Sequence, residues 1–413
     1  MKIEEPAVRP AIAFLLALLM TGCAREAPPT EDWRVLIALP QAELPVRLWL
    51  AADGSEAWFE NGRERVLVPE IRRDAGRWVL RFPAFNNALE LQPAGTEMSG
   101  TLTLVKRGYE QVMPVRAEPN PGFRFSADPR PVTDLTGRWE VTFTPDEDDP
   151  YLAVGEFDQQ GGRLTGTFLT AKGDYRFLAG EVDGARLRLS TFDGAHAYVF
   201  SAEVGADGTL AGDFWSGTRW HERWVARRNF DAALPDPYGL TYLKPGWERL
   251  DFSFPNLEGR PVSLSDPRYR GKVVLVTLAG TWCPNCADEA EFLAGYLAAH
   301  RHRGVEAITL LYEHVEEFEV AAALGRALRD KHGLEHELLI AGSSEKTRAA
   351  QTLPMLNHVL AYPTLILVDR SGGVRAIHTG FSGPATGEHY RAFVADFEAR
   401  MEVLLGEGVS EAQ

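Results

Sequence analysis

KVVLVTLAGTWCPNCADEAEFLAGYL, residues 272–297, is the stretch whose reading decides the fold. Its first nine residues are an apolar, β-branched run of the kind that forms a strand buried on both faces. Residues 287–304 then place Ala287, Phe292, Leu293, Tyr296 and Leu297 at helical spacing. Between strand and helix stands Trp282-Cys283-Pro284-Asn285-Cys286. At the start of a helix the first backbone N–H groups have no partner in the chain, and the helix dipole favours an anion there. Cys283 is therefore expected to ionise and attack, as a nucleophile. Cys286, three residues on, can close a disulfide with it and release a mixed-disulfide partner, as the resolving thiol. Pro284 loses no needed hydrogen bond at a first helical position. A zinc site would need two more ligands at matching spacing. No further cysteine is near, and His300 and His302 lie at the far end of the helix, where a polar, basic last turn accounts for them. The expectation is a redox-active Cys283–Cys286 disulfide with no metal and no cofactor.

Downstream, the same grammar continues. Residues 306–312 read as a second apolar strand, 317–333 as a helix ending at Gly333, 336–340 as a third strand and 344–353 as a short helix. Residues 364–369 and 374–380 flank Ser371-Gly372-Gly373 as a hairpin, and 388–405 read as a closing helix. Phe252–Leu264 reads as a small hairpin in front. This alternation predicts an α/β domain over 250–405, a mixed sheet with helices on both faces.

Upstream the pattern is β. VRLWL (46–50), RWVLRF (77–82), TLTLV (101–105), RWEVTF (138–143), RLTGTFL (163–169) and ARLRLSTF (185–192) alternate apolar and polar residues. Asp53-Gly54, Asn61-Gly62, Asp183-Gly184, Asp193-Gly194 and Asp207-Gly208 are hairpin turn signals. Eight of the ten tryptophans fall between Trp33 and Trp224, as expected of a barrel or sandwich core. The proline-bearing stretch 120–134 divides this all-β region into units at 33–119 and 135–229. Asp174, Tyr175, Asp193, His196 and His221 are its notable polar residues, read as turn or surface groups. Residues 231–249, with three prolines and no periodicity, read as a linker or draped connection.

With 413 residues, several domains are expected. The net charge of -15 argues against a nucleic-acid partner, because a phosphate backbone selects a basic surface. Only three cysteines are present, so no disulfide framework staples the chain. The third, Cys23, follows the apolar run 11–20, which is too short for a transmembrane helix but of signal-peptide length. Met20-Thr21-Gly22-Cys23 resembles the bacterial lipobox. That resemblance implies a lipoprotein signal peptide over 1–22, a lipidated Cys23 and a tether over 23–32. Ala24, after the cysteine, favours an outer-membrane destination, with the chain anchored in the cell envelope and facing the periplasm.

The segment FPNLEGRPVSLSDPRYRGKVVLVTLAGTWCPNCADEAEFL, with Tyr362-Pro363-Thr364 and LILVDRSGGV further on, resembles the TlpA/ResA family of thioredoxin-like thiol–disulfide oxidoreductases. The resemblance covers roughly 250–405. It implies that Trp282 and Pro284 frame the cysteine pair and that Pro363 is cis and faces it, with Thr364 opening the next strand. It also implies a role for Glu289, three residues after the second cysteine, as a partly buried carboxylate that relays protons to the resolving thiol. Thioredoxins carry a buried Asp six residues before the first cysteine; here that position is Thr277. Asn285, Ala287, Glu291 and Leu278–Gly280 also depart from the family pattern, which bears on the direction of electron flow.

The leading functional expectation is a disulfide reductase or isomerase acting on exported proteins and fed by a membrane thiol electron donor. Other readings stay open. One is a dithiol oxidant. Another is a peroxiredoxin-like peroxidase, although Gly280 stands where such enzymes place Thr. A third is an envelope ligand- or partner-binding protein whose redox domain is regulatory.

Overall fold

The computed structural model describes residues 30–407; the apolar run 11–20, Cys23 and the tether up to residue 29 lie outside them. Val273–Ala279 forms the central strand of a five-stranded sheet, and all seven of its residues are buried. Val305–Glu313 and Glu337–Ser343 extend the sheet in parallel on one side. Thr364–Val368 and Val374–Thr379 extend it antiparallel on the other. The helices are α1 (Pro284–His300), α2 (Phe318–His332), α3 (Lys346–Thr352) and α4 (Glu388–Gly406).

Alternation along the central strand distributes them. Val273 and Leu275 share a core with Leu293 and Leu297 of α1 and Phe393, Phe397 and Met401 of α4. Val274, Val276 and Leu278 share another with Ala322 and Leu328 of α2 and Ala349 of α3. Burial on both faces explains why the strand is a continuous apolar run. This is the mixed α/β domain the alternation predicts, in the thioredoxin-like arrangement that the family resemblance implies. Helix α2 ends at Gly333, whose φ of 60° suits a residue without Cβ.

The β region has two parts. Residues 30–119 form an open, antiparallel meander of nine strands, from Glu64–Leu67 at one edge to Glu70–Asp74 at the other. Thr30–Asp32, expected in the tether, pair with Trp49–Ala51 as the start of a strand. Residues 137–228 form a barrel of eight strands, closed where Tyr151–Gln160 pairs with both Gly137–Phe143 and Arg163–Thr170. Its interior is filled, as eight strands allow. Phe200 stacks on Phe168 and Phe214 at ring-centroid distances of 4.6 and 4.3 Å. The open sheet is a half-barrel whose core is completed by the outside of the barrel, since Phe192, Ala197 and Val199 pack into it.

Arg124, in the proline-bearing stretch, ties the two together. Its guanidinium donates to the carbonyls of Pro45 and Glu60, to Asn61 Oδ1 and to Ser190 Oγ. Burial pulls this group down to about 10. Residues 231–249 are draped along the redox domain: the Tyr238 hydroxyl donates to Asp396 at 2.6 Å, and Lys244 N donates to Met355 O. Among the described residues no helix is long and apolar enough to cross a membrane.

Candidate functional site

The central strand ends at Ala279, and Gly280–Trp282 turn the chain into α1. Gly280 is required at this turn: a Cβ there would lie 2.8 Å from Tyr312 O and 2.3 Å from Trp282 Nε1. The Thr that a peroxiredoxin-like site would place here has no room. Cys283 is the N-cap of α1 and Pro284 its first residue. Cys283 and Cys286 are joined in a disulfide with Cα atoms 5.2 Å apart. Cys283 Sγ accepts the backbone N–H of Cys286 at 3.2 Å, so a donor of the first turn that has no partner within the helix is aimed at this sulfur.

Opposite stands the loop before the Thr364–Val368 strand. The Tyr362–Pro363 peptide is cis, and the Tyr362 carbonyl oxygen lies 3.5 Å from Cys283 Sγ. Thr364 is buried, and its hydroxyl donates to Ala361 O at 2.9 Å, closing that loop. Trp282 lies over the site's flank: its Nε1 donates to Tyr312 O, and its ring stacks on His314 at 4.3 Å.

Two buried carboxylates lie under the pair. Glu289 falls in the apolar stripe of α1 formed by Cys286, Leu293, Tyr296 and Leu297, so the helix drives it into the core, 0 % exposed. Thr277 is on the same side of the central strand as Val273 and Leu275, the side that α1 covers. The strand lacks an acid at 277, and the helix brings one to it. Thr277 slightly opposes the effect of burial on Glu289 without reaching good hydrogen-bond geometry, and burial pushes the carboxyl up to about 8. Glu313, at the end of the Val305–Glu313 strand, accepts from Thr281 N at 2.9 Å and Thr281 Oγ1 at 2.8 Å. Burial outweighs these bonds and pushes it up to about 7. Glu313 is not marked by any sequence motif; only its place at the C-terminal end of an apolar strand beside the cysteine turn hints at it.

The site is covered. Cys283 is 6 % and Cys286 2 % exposed; both pack into the redox domain's core, and Cys283 also lines the cleft that the barrel end closes over the first turn of α1. Asn285 Nδ2 donates to Asp174 O at 3.3 Å and to Phe381 O at 3.5 Å. Gly173 makes room for it, since a Cβ there would stand 2.7 Å from Asn285 Nδ2. Asp174 accepts from Arg176 N and Gly383 N; burial lifts it to about 6 against those bonds.

Arg176 joins three parts of the molecule. It pairs with Asp288 of α1, with Glu64 of the half-barrel at 2.6 Å and with Asp193 of the barrel at 3.5 Å. Burial works against ionised Asp193, yet His196 and Arg176 outweigh it and hold that carboxyl well below its usual range. Asp174, Asp193 and His196, read from the sequence as turn or surface groups, thus belong to this buried contact, and Tyr175, read the same way, packs on Phe143, Phe168 and Phe214 of the barrel core. His221 is the exception: it is exposed and pairs with Asp213 at 2.8 Å. Among the described residues no group of three or more His, Cys, Asp or Glu side chains is placed to hold a metal ion, and the redox group is the protein's own disulfide.

Residues 244–392 match the family model described as Redoxin. A curated relative, thiol-disulfide oxidoreductase ResA of Geobacillus thermodenitrificans, is 30 % identical over 130 residues. These are 32 % of this chain and 66 % of the relative, just short of two thirds of its length. Thioredoxin-like protein YneN of Bacillus subtilis is 28 % identical over 139 residues, 33 % of this chain and 73 % of that protein. Among solved structures, a thiol:disulfide interchange protein of the thioredoxin family from Chlorobium tepidum aligns with 38 % of this chain and 96 % of its own, at 21 % identity and a TM-score of 0.30. The C-terminal part is thus a thioredoxin-like, redoxin-superfamily domain related to ResA-type oxidoreductases and preceded by a β-rich region.

Proposed function

We propose that this chain is a thiol–disulfide oxidoreductase of the cell envelope that reduces or isomerises disulfides in exported proteins. The observation that carries the reading is the Cys283–Cys286 disulfide at the N-terminus of α1, with the Cys286 N–H aimed at Cys283 Sγ. In the reduced state the Cys283 thiolate attacks one sulfur of a client disulfide. A mixed disulfide forms, and the client's other sulfur leaves as a thiolate and takes up a proton. Cys286 then loses its proton and attacks Cys283 Sγ. This closes the Cys283–Cys286 bond and frees the client's second thiolate, which is protonated in turn. Two electrons pass to the client, whose two thiolates take one proton released by Cys286 and one from solvent, and a membrane dithiol donor restores the pair.

Glu289 lies one turn beyond Cys286 on the same buried face of α1. Burial pushes its carboxyl up to about 8, out of the ordinary carboxylate range and into the range of a general acid or base for thiol chemistry. Pro363 and the Tyr362 carbonyl flank the nucleophile, where a client segment would lie; Trp282, Pro284, Thr277 and Thr364 support the arrangement. The proposal includes an exported chain tethered to the membrane through a lipidated Cys23, with an outer-membrane destination on the reading of Ala24. Non-reducing gels after thiol alkylation in intact cells test it. Cys286→Ser should accumulate mixed disulfides with clients, and Cys283→Ser should accumulate few. Adducts on Cys283→Ser instead would reverse the polarity of the pair.

A further inference from the structure

We propose that the cleft between the barrel end and the cysteine pair is a client-binding site that takes an extended segment whose cysteine is flanked by aromatic or aliphatic side chains. This rests on the oxidoreductase reading and specifies its substrate. The cleft has a volume of about 550 Å³, and Cys283 lines it together with Trp282 and Tyr362 from the redox domain. That is the size of a site for a drug-sized ligand, a few residues of chain rather than a folded domain. Because Cys283 is 6 % exposed, a cystine on a rigid surface does not reach it, whereas an extended segment does.

The barrel's contribution decides what the segment carries. Tyr151, Tyr175 and Tyr198 form the inner wall, with hydroxyls already occupied in part: Tyr151 donates to Glu222 at 2.7 Å and lies 3.2 Å from the Tyr175 hydroxyl. Asp174, the other carboxylate of the lining, is spent on the N–H groups of Arg176 and Gly383. The Lys172 ammonium stands 5.8 Å from the Tyr151 ring centre, one cation where a small anionic thiol with two carboxylates would need more. At the rim, Leu152 and Trp220 are 54 % and 57 % exposed, two large apolar side chains lining the same cleft that harbours the disulfide. Both stand at the beginning of a strand, at this side of the barrel: Leu152 is the second residue of Tyr151–Gln160 and Trp220 the first of Trp220–Arg228. Exposed aromatic and aliphatic groups around a recessed reactive sulfur are a recognition surface for apolar side chains.

The test uses the full chain, reduced with dithiothreitol and freed of it. It is mixed with the symmetric disulfide of a pentapeptide carrying phenylalanine on both sides of its cysteine, with that of a serine-flanked counterpart, and with glutathione disulfide. In each case the protein dithiol is oxidised to the Cys283–Cys286 disulfide, and the probe is reduced to two thiols, whose release is followed. The phenylalanine peptide should react roughly tenfold faster than the serine peptide, the scale of one apolar contact. Trp220→Ala and Leu152→Ser should each cut that ratio to below about threefold. Val403→Ser, at an exposed apolar position of α4, should retain it. A ratio near one in the native chain, a ratio that survives both rim variants, or glutathione disulfide reacting fastest would each overturn the cleft assignment while leaving the oxidoreductase reading in place. A reduced chain that transfers electrons to none of the three probes would overturn that reading, and the cleft assignment with it.

Discussion

Glu289 shows how one residue acquires its chemistry from the periodicity of its helix. Three residues after Cys286 and four before Leu293, it sits on the face of α1 that packs against the sheet, and burial raises its pKa from an ordinary 4.5 to about 8. The sign for stability follows. Below about pH 4.5 the carboxyl is neutral in both the folded and unfolded chain and adds no pH dependence. Between about 4.5 and 8 the unfolded chain releases the proton while the folded one holds it, so stability falls as pH rises, at up to about 1.4 kcal/mol per pH unit. Glu289→Gln removes this dependence. Thermal melts from pH 5 to 8 should therefore show a gain for the variant that grows with pH. In single-turnover exchange the same variant should slow the resolving step and flatten its rise towards pH 8, because no carboxylate remains to take the Cys286 proton. A melting difference constant across the range would mean that Glu289 is ionised in the fold.

At the scale of the element, the site is the junction between one strand and one helix, and its turn is built to a tight tolerance. Trp282 hooks back to Tyr312 O through Nε1, Thr281 is held by both oxygens of Glu313, and Gly280 lets the chain pass against that same Tyr312 carbonyl. Backbone atoms, unlike the end of a flexible side chain, cannot easily give way. Gly280→Ala should therefore cost roughly 1–3 kcal/mol, the range for overpacking a close contact. It should also shift the fluorescence of Trp282, whose ring nitrogen is the nearest obstacle. Chemical denaturation and emission spectra check this together. An unchanged midpoint would show that the turn has slack, and the steric objection to a peroxiredoxin-like Thr at this position would fall.

For the whole molecule, Arg176 is the group through which half-barrel, barrel and redox domain meet. Its three carboxylate partners come one from each part, and all are largely removed from water. Removing the cation leaves those charges buried without their counter-ion, which typically costs about 3–5 kcal/mol. Arg176→Met should lower the denaturation midpoint accordingly. It should also speed alkylation of reduced Cys283, as the barrel end loosens from α1. Arg176→Lys should recover less than half of the loss, since an ammonium cannot present the planar fork that reaches three directions at once. Native stability and native alkylation rate in Arg176→Met would show that apolar packing alone holds the barrel over the site.

Much of this was legible in the chain. The run Val273–Ala279, the CxxC pair and the helical stripe after it specify a buried strand that turns through a cysteine pair into a helix, because strand burial, helix capping and amphipathic spacing are local properties written in consecutive residues; the thioredoxin-like fold was legible through the family resemblance. The alternating segments and Gly turns of residues 33–229 likewise announce β structure, and the spacing from Cys286 to Glu289 puts that acid on the helix face of the cysteine. Tertiary structure alone decided what meets what. Nothing in the sequence pairs Tyr151–Gln160 with both its neighbours to close a barrel, completes the half-barrel with Phe192 and Val199, or carries Arg176 to Asp288, 112 positions away. The same holds for Glu313 under Thr281 and for the aromatic rim over Cys283. Such contacts depend on strand register and on the fit of one packed surface to another, where each partner is an ordinary polar or aromatic residue until the fold brings the other to it.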